Sequence, residues 1–231
     1  MKKALWIVMA AALAVAVVAA SAQTEVLSAN AVGYIKKTLP AGGKLVAMSI
    51  PLDSMTNTSL VFGETSVASE APVGAEVAFW DVVNQGWVAG GKSTKGWGPA
   101  QAAKVLQPGE GFFLKGDPAA VSEVEVTITG EVPDAATLPR AIPGGNALGT
   151  LANPYPTDFT FGTSAFASNA SVGSEVAFWD VENQGWVAGG KSTKGWGPAQ
   201  AGYVVQAGEG FFIREVGGAA NWTMDKPYTW P

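Results

Sequence analysis

Glu76 to Phe113 reads EVAFWDVVNQGWVAGGKSTKGWGPAQAAKVLQPGEGFF, and Glu175 to Phe212 reads EVAFWDVENQGWVAGGKSTKGWGPAQAGYVVQAGEGFF. The two blocks differ at only five positions, so any fold assigned to one must hold for the other. EVAFWDV is apolar on both sides, Val77 and Phe79 against Ala78 and Trp80, the pattern of a central strand covered on both faces. Asn84-Gln85-Gly86 then turns the chain into WVAG, a hairpin in which Gly86 is expected to take the left-handed position of a three-residue loop. In LQPGEGFF, Pro108 and Gly109 fit a type II turn. The second block keeps Gly208 and replaces the optional proline by Ala207.

Outside the blocks the period is again that of strands. VEVTIT alternates Val124, Val126 and Ile128 with Glu123, Glu125 and Thr127, and KLVAMSIPL sets Val46, Met48, Ile50 and Leu52 on one side. Both read as half-buried strands of an antiparallel sheet. TNTSLVFGE and PTDFTFGTS can each hold one short helix, and nothing else after the leader reads as helical. The offset of the blocks also relates Phe62-Gly63 to Phe161-Gly162 and Thr38-Leu39-Pro40 to Thr137-Leu138-Pro139. The boundary between the repeats is expected near GEVPDAATLPRAIPGGN, where prolines and glycines end the periodic pattern. The expected class is therefore all-β: two tandem homologous units of short antiparallel strands, sandwich or roll-like, with little helix. They cover 23–133 and 134–231, after a signal peptide at 1–22. Units of roughly 100 residues are large enough to hold their own cores.

The leader reading rests on MKKALWIVMAAALAVAVVAASAQ: Lys2 and Lys3, an apolar run, then Ala20-Ser21-Ala22 ahead of Gln23. Export is expected, to the periplasm, the cell surface or the medium, with no membrane span after cleavage. Loss of Lys2 and Lys3 takes the formal charge from −5 to about −7, which argues against nucleic acid as a partner. Charged residues are 14% of the chain against 48% hydrophobic, a balance for a folded protein and not a disordered stalk. There is no Cys and no His, which closes off disulfides, Ser-His-Asp and Cys-His catalysis and His-ligated metals. No cofactor or metal is expected.

GWVAGGKST, at Gly86–Thr94 and again at Gly185–Thr193, satisfies the P-loop pattern. The setting does not. A P-loop Ser or Thr opens a long helix, whereas Gly96, Gly98 and Pro99 follow here at once, and no helix is expected to start there. No nucleotide partner is inferred. Among carboxylates, Glu76, Asp81 and Glu110, with Glu175, Asp180 and Glu209, are the candidates by type for glycosidase chemistry. Glu76 and Asp81 lie at the two ends of one strand and on opposite faces, and Glu110 lies in a turn, so no convergent pair is expected and the chain reads as a non-enzyme.

Eight tryptophans remain beyond the leader, six of them in three repeat-related pairs. Trp80 and Trp179, beside Phe79 and Phe178, read as core. Trp97 and Trp196 each sit in Gly-Trp-Gly-Pro beside lysines. Trp97 with Lys92 and Lys95, and Trp196 with Lys191 and Lys194, are therefore the candidate ligand-binding residues, where an indole stacks on a sugar ring beside amines. The competing expectation is that these indoles fold back to plug the end of a sandwich.

SANAVGYIKKTLPAGGKL, the Trp-rich block and the GEGFF endings together resemble uncharacterised exported tandem-repeat β proteins of the Planctomycetes and Verrucomicrobia bacterial group. ALGTLANPY, Ala147 to Tyr155, is similar to a strand motif of that group, while the first unit departs from it with VAMSIPL. The resemblance implies export and a β fold, and it transfers no site. The expected function is a non-catalytic structural or interaction role at the cell envelope or outside the cell. The alternative is a carbohydrate-binding module with two equivalent Trp and Lys loops. The corresponding partners are a polysaccharide or a repetitive envelope protein.

Overall fold

Each half of the chain builds one antiparallel sheet around its Trp-rich block. The computed structural model describes residues 31–229. In the first half the strands are β1 (Val32–Leu39), β2 (Leu45–Ser49), β3 (Leu60–Val61), β4 (Glu76–Asp81), β5 (Gly86–Ser93), β6 (Gly96–Trp97), β7 (Val105–Leu106), β8 (Gly111–Lys115) and β9 (Val124–Glu131). In the second they are β10 (Thr137–Ile142), β11 (Leu148–Ala152), β12 (Phe159–Thr160), β13 (Glu175–Asp180), β14 (Gly185–Gly190), β15 (Val204–Val205), β16 (Gly210–Arg214) and β17 (Ala220–Asp225). The sheet orders are β2-β8-β4-β5-β6 and β11-β16-β13-β14, and two-stranded ribbons β1-β9 and β10-β17 accompany them. The expected all-β class is what the chain adopts.

The doubled phenylalanines explain the layering. Consecutive strand residues point to opposite faces, so Phe112-Phe113 and Phe211-Phe212 place one ring on each side of their sheet. Phe112 joins Val46, Met48, Val77, Phe79 and Leu114 in a core closed by Leu39, Val126 and Ile128 of the ribbon and by Phe62 and Val67. Phe211 does the same in the second half, with Val176, Phe178, Ile213, Phe161, Phe166 and Trp222. Phe113 and Phe212 point the other way. There they meet each other, with Ala47, Trp80, Trp179, Leu45 and Leu148, in a third cluster that joins the two sheets. Ala47 and Ser49 of β2 are therefore buried as well as Val46 and Met48, and the strand is covered on both faces instead of half-buried.

Four local expectations change. The hairpin between β4 and β5 pairs Asp81 with Gly86, so its loop has four residues, and Gln85, not Gly86, takes the left-handed conformation (φ 50°). TLPRAI forms β10 despite its proline, because a two-stranded ribbon leaves one edge free of ladder hydrogen bonds. The boundary segment thus holds the end of β9 and the whole of β10, with a non-strand stretch, 132–136, between them. A helix does begin after the lysine loop: Pro99–Ala102, and Pro198–Ala201 in the second half, each with Pro at its first position, where the missing N–H is harmless and φ is preset. TNTSLVFGE and PTDFTFGTS supply only the 3-10 turns Phe62–Glu64 and Phe161–Thr163. The α-helices Ser66–Glu70 and Ala165–Asn169 follow, N-capped by Thr65 and Ser164.

The reversal at Gln107-Pro108-Gly109-Glu110 is as expected, with Gly109 at φ 70° and the Glu110 N–H on the Gln107 carbonyl at 3.0 Å. Residues from Val32 onward form one compact unit, and none of the helices among the described residues is long and apolar enough to cross a membrane. The leader lies outside the described residues.

Candidate functional site

Three groups of side chains need placing: the Lys and Trp loops, the carboxylates and the remaining tryptophans. Lys92 leaves β5 toward the end of helix Ser66–Glu70 and donates to the carbonyls of Ala68, Ser69 and Ala71 at 2.8, 2.7 and 2.6 Å. An ammonium has three donors, and all three are engaged. The chemistry is a C-terminal helix cap, a cation on carbonyls that have no intrahelical partner. Burial lowers the Lys92 pKa. The indole N–H of Trp97 joins the same Ala68 carbonyl at 2.8 Å, with its ring edge-on to Phe62 at 5.3 Å. Lys191 and Trp196 repeat the device on Ala167, Ser168 and Ala170, with Phe161 under the ring at 5.1 Å. Lys95 and Lys194 stay exposed at their turns, beside Gly96 (φ 100°) and Gly195 (φ 98°). The six candidate residues thus divide. Four tie a strand to a helix end with their polar atoms turned inward, and only the two turn lysines face solvent.

The carboxylates are also engaged. Asp81 accepts the backbone N–H groups of Val83 and Asn84 and the Asn84 side-chain amide, and Asp180 does the same with Glu182 and Asn183. The Asn84 and Asn183 donors hold these acids below the usual carboxylate range. Glu76 pairs with Lys115 at 2.8 Å and Glu175 with Arg214. Glu110 is buried, accepting from Lys104 at 2.8 Å and from the Gln107 N–H at 3.0 Å. Glu209 accepts from the Tyr203 hydroxyl at 2.7 Å and the Gln206 N–H at 3.0 Å, and burial pushes its pKa up. Among the described residues no group of His, Cys, Asp and Glu has the makings of a metal site.

The tryptophans of the hairpins carry the geometry that sequence reasoning missed. Trp80 pairs with Trp87 across β4 and β5, and Trp179 with Trp186 across β13 and β14. Cross-strand partners share a face, so all four rings lie on the side of Phe113 and Phe212. Trp87 touches both phenylalanines (5.4 and 5.5 Å between centroids), and so does Trp186 (5.7 and 5.4 Å). Six rings therefore form one continuous band across the seam. Trp80 and Trp179 anchor it, donating N–H to the Leu148 and Leu45 carbonyls of the opposite half, each at 2.9 Å. Trp87 and Trp186 are its open ends, 44% and 45% exposed, and neither indole N–H has a partner among the described residues.

The seam itself is reciprocal. Gln85 accepts from Leu148 N and donates to Leu148 O, at 2.8 and 3.1 Å, and Gln184 does the same to Leu45 at the same distances. That pairing of i with j and of i's counterpart with j's is the pattern of an isologous interface. Where the sheets come closest, Gly111 and Gly210 leave no room for side chains: a Cβ on Gly111 would lie 3.1 Å from the Gly210 Cα. No protein-family model, curated protein or solved structure matches this chain, so the seam and its aromatic band stand as the candidate site on their own geometry.

Proposed function

We propose that the protein is exported and serves a non-catalytic structural or interaction role at the cell envelope or outside the cell. The observation that carries the interaction reading is the pair of half-exposed indoles, Trp87 and Trp186, held on one rigid aromatic band with their N–H groups unengaged. Aromatic surface of this kind, ordered before any partner arrives, loses little conformational freedom on binding. The engagement of the acids in turns, ion pairs and hydrogen bonds supports a non-catalytic reading. The leader pattern supports export. Fractionation of producing cells, with mass spectrometry of the N-terminus and sedimentation velocity of the purified chain, tests it. The expected result is a chain starting at Gln23, outside the cytoplasm, recovered with the envelope or self-associating. A cytoplasmic chain retaining Met1 would overturn it.

The carbohydrate reading keeps one specific support, at a different place from the lysine loops. Trp87 and Trp186 present rings and free donors to solvent, as stacking on sugars requires. Two such rings on one body favour a repetitive partner, because the second attachment becomes intramolecular.

A further inference from the structure

Two open clefts, of about 420 and 490 Å³, occupy equivalent places on the two sheets. The first is lined by Trp80, Asp81, Val82, Val88, Gln107 and Glu110, and the second by their counterparts Trp179, Asp180, Val181, Val187, Gln206 and Glu209. Each also takes a cation from the ribbon of the other half: Arg140 of β10 in the first, Lys37 of β1 in the second. Neither cation has a hydrogen bond or ion pair among the described residues, and the Arg140 Nε is buried without an acceptor. A guanidinium offers five N–H donors, and a buried one left unpaired is costly. What an incoming acceptor could meet is the rest of the guanidinium, which lines the open cleft with no ion pair.

The clefts differ at one position of the repeated block. Lys104 in the first is Tyr203 in the second. Lys104 pairs with Glu110, and Arg140 lines the same cleft with no ion pair of its own, balanced in charge by the turn-bound Asp81. In the second cleft Glu209 accepts from the Tyr203 hydroxyl and has no lysine in contact, so Lys37 faces Glu209, Asp180 and the nearby Asp158, while Lys36 is held by Glu125. The first cleft therefore balances its charges and keeps an unengaged guanidinium, whereas the second sets three carboxyl groups around one free lysine.

We propose that the Arg140 cleft binds the oxyanion group, carboxylate or sulfate, of an acidic sugar unit. The planar fork of Arg140 matches an oxyanion in bidentate fashion. The apolar wall of Trp80, Phe79 and Val88 beside the side-chain amide of Gln107 suits a ring that bears hydroxyls. The inference rests on the interaction role proposed above and names its ligand class at a separate place, so each can fail alone.

Isothermal titration calorimetry with an oligogalacturonate, a sulfated oligosaccharide, its neutral parent and sodium sulfate tests it on the full mature chain. The acidic oligosaccharides should bind, more weakly as salt rises, and the neutral parent should not. Arg140→Gln should weaken binding at least about ten-fold, and Lys37→Gln should leave it unchanged. Lys104→Tyr, which installs the residue natural to the second cleft and so should fold, should weaken it several-fold. Equal binding by Arg140→Gln, or no binding of either acidic oligosaccharide to the wild type, overturns the site. Sodium sulfate binding as tightly as the sulfated sugar overturns the sugar and leaves a simple anion site. Loss of envelope retention on changing Trp87 and Trp186, with cleft binding intact, would separate this result from the role of the aromatic band.

Discussion

Lys92 and Trp97 show how a residue pattern can point to chemistry while its acceptors lie elsewhere in the chain. Both reach one carbonyl, that of Ala68, twenty-four and twenty-nine residues earlier. No local spacing announces such a partner, so the exposed-lysine reading of the loop could not be resolved from sequence. Trp97→Phe keeps the ring on Phe62 and removes one hydrogen bond. It should cost about 1 kcal/mol, a Tm decrease of about 2–4 °C by calorimetry. Lys92→Met should cost about as much, by freeing the helix-end carbonyls, and an unchanged Tm for both would remove the cap from the account.

Glu209 gives a pH-dependent counterpart. Burial pushes its pKa up, against opposing hydrogen bonds from Tyr203 and Gln206 and the charge of Lys37. A carboxyl raised in the folded state favours folding when protonated. Its contribution is complete below the ordinary value of 4.5 and is lost as pH rises through the higher folded value. Chemical denaturation of Glu209→Gln across that window should show a flatter pH dependence than the wild type, and an identical slope would contradict the burial.

At the scale of elements, the strands were legible where alternation is clean. VEVTIT carries its period in the open, and EVAFWD was legible for the opposite reason, being apolar on both sides; the FF doublet's ring on each face emerged only with the structure. The aromatic band was hidden by the loop length: an expected three-residue loop sets Trp87 against Val83, whereas the four-residue loop pairs Trp80 with Trp87 on one face, opposite Phe79. What sequence could not give is what covers that face, because the covering residues belong to the other half. β10 was obscured by Pro139, which a ribbon tolerates. The close approach of β8 and β16 likewise has no local signature beyond Gly111 and Gly210. Gly210→Ala would bring a Cβ to 2.7 Å from the Met48 carbonyl and 3.0 Å from the Gly111 Cα. Both neighbours are backbone, so the sheets must part, at a cost of about 1–3 kcal/mol read as a lower denaturation midpoint.

For the whole molecule, the two cores are separate but the face between the sheets is shared. Because the seam contacts are reciprocal, a chain of residues 23–133 alone exposes Ala47, Trp80 and Phe113. A second copy can satisfy that face, with Trp80 taking the Leu45 carbonyl as Trp179 does. Sedimentation velocity should therefore find this half as a dimer or larger species, and a folded monomer would contradict the shared core. The central claim is that the molecule works as a rigid interaction body through the open ends of its aromatic band. Retention on washed cell envelopes, measured for the wild type, for Trp97→Phe and for the double variant Trp87→Ala with Trp186→Ala, tests it most directly. The account predicts that the double variant melts cooperatively yet loses most of its retention, while Trp97→Phe is retained like the wild type. Equal retention of all three would contradict it.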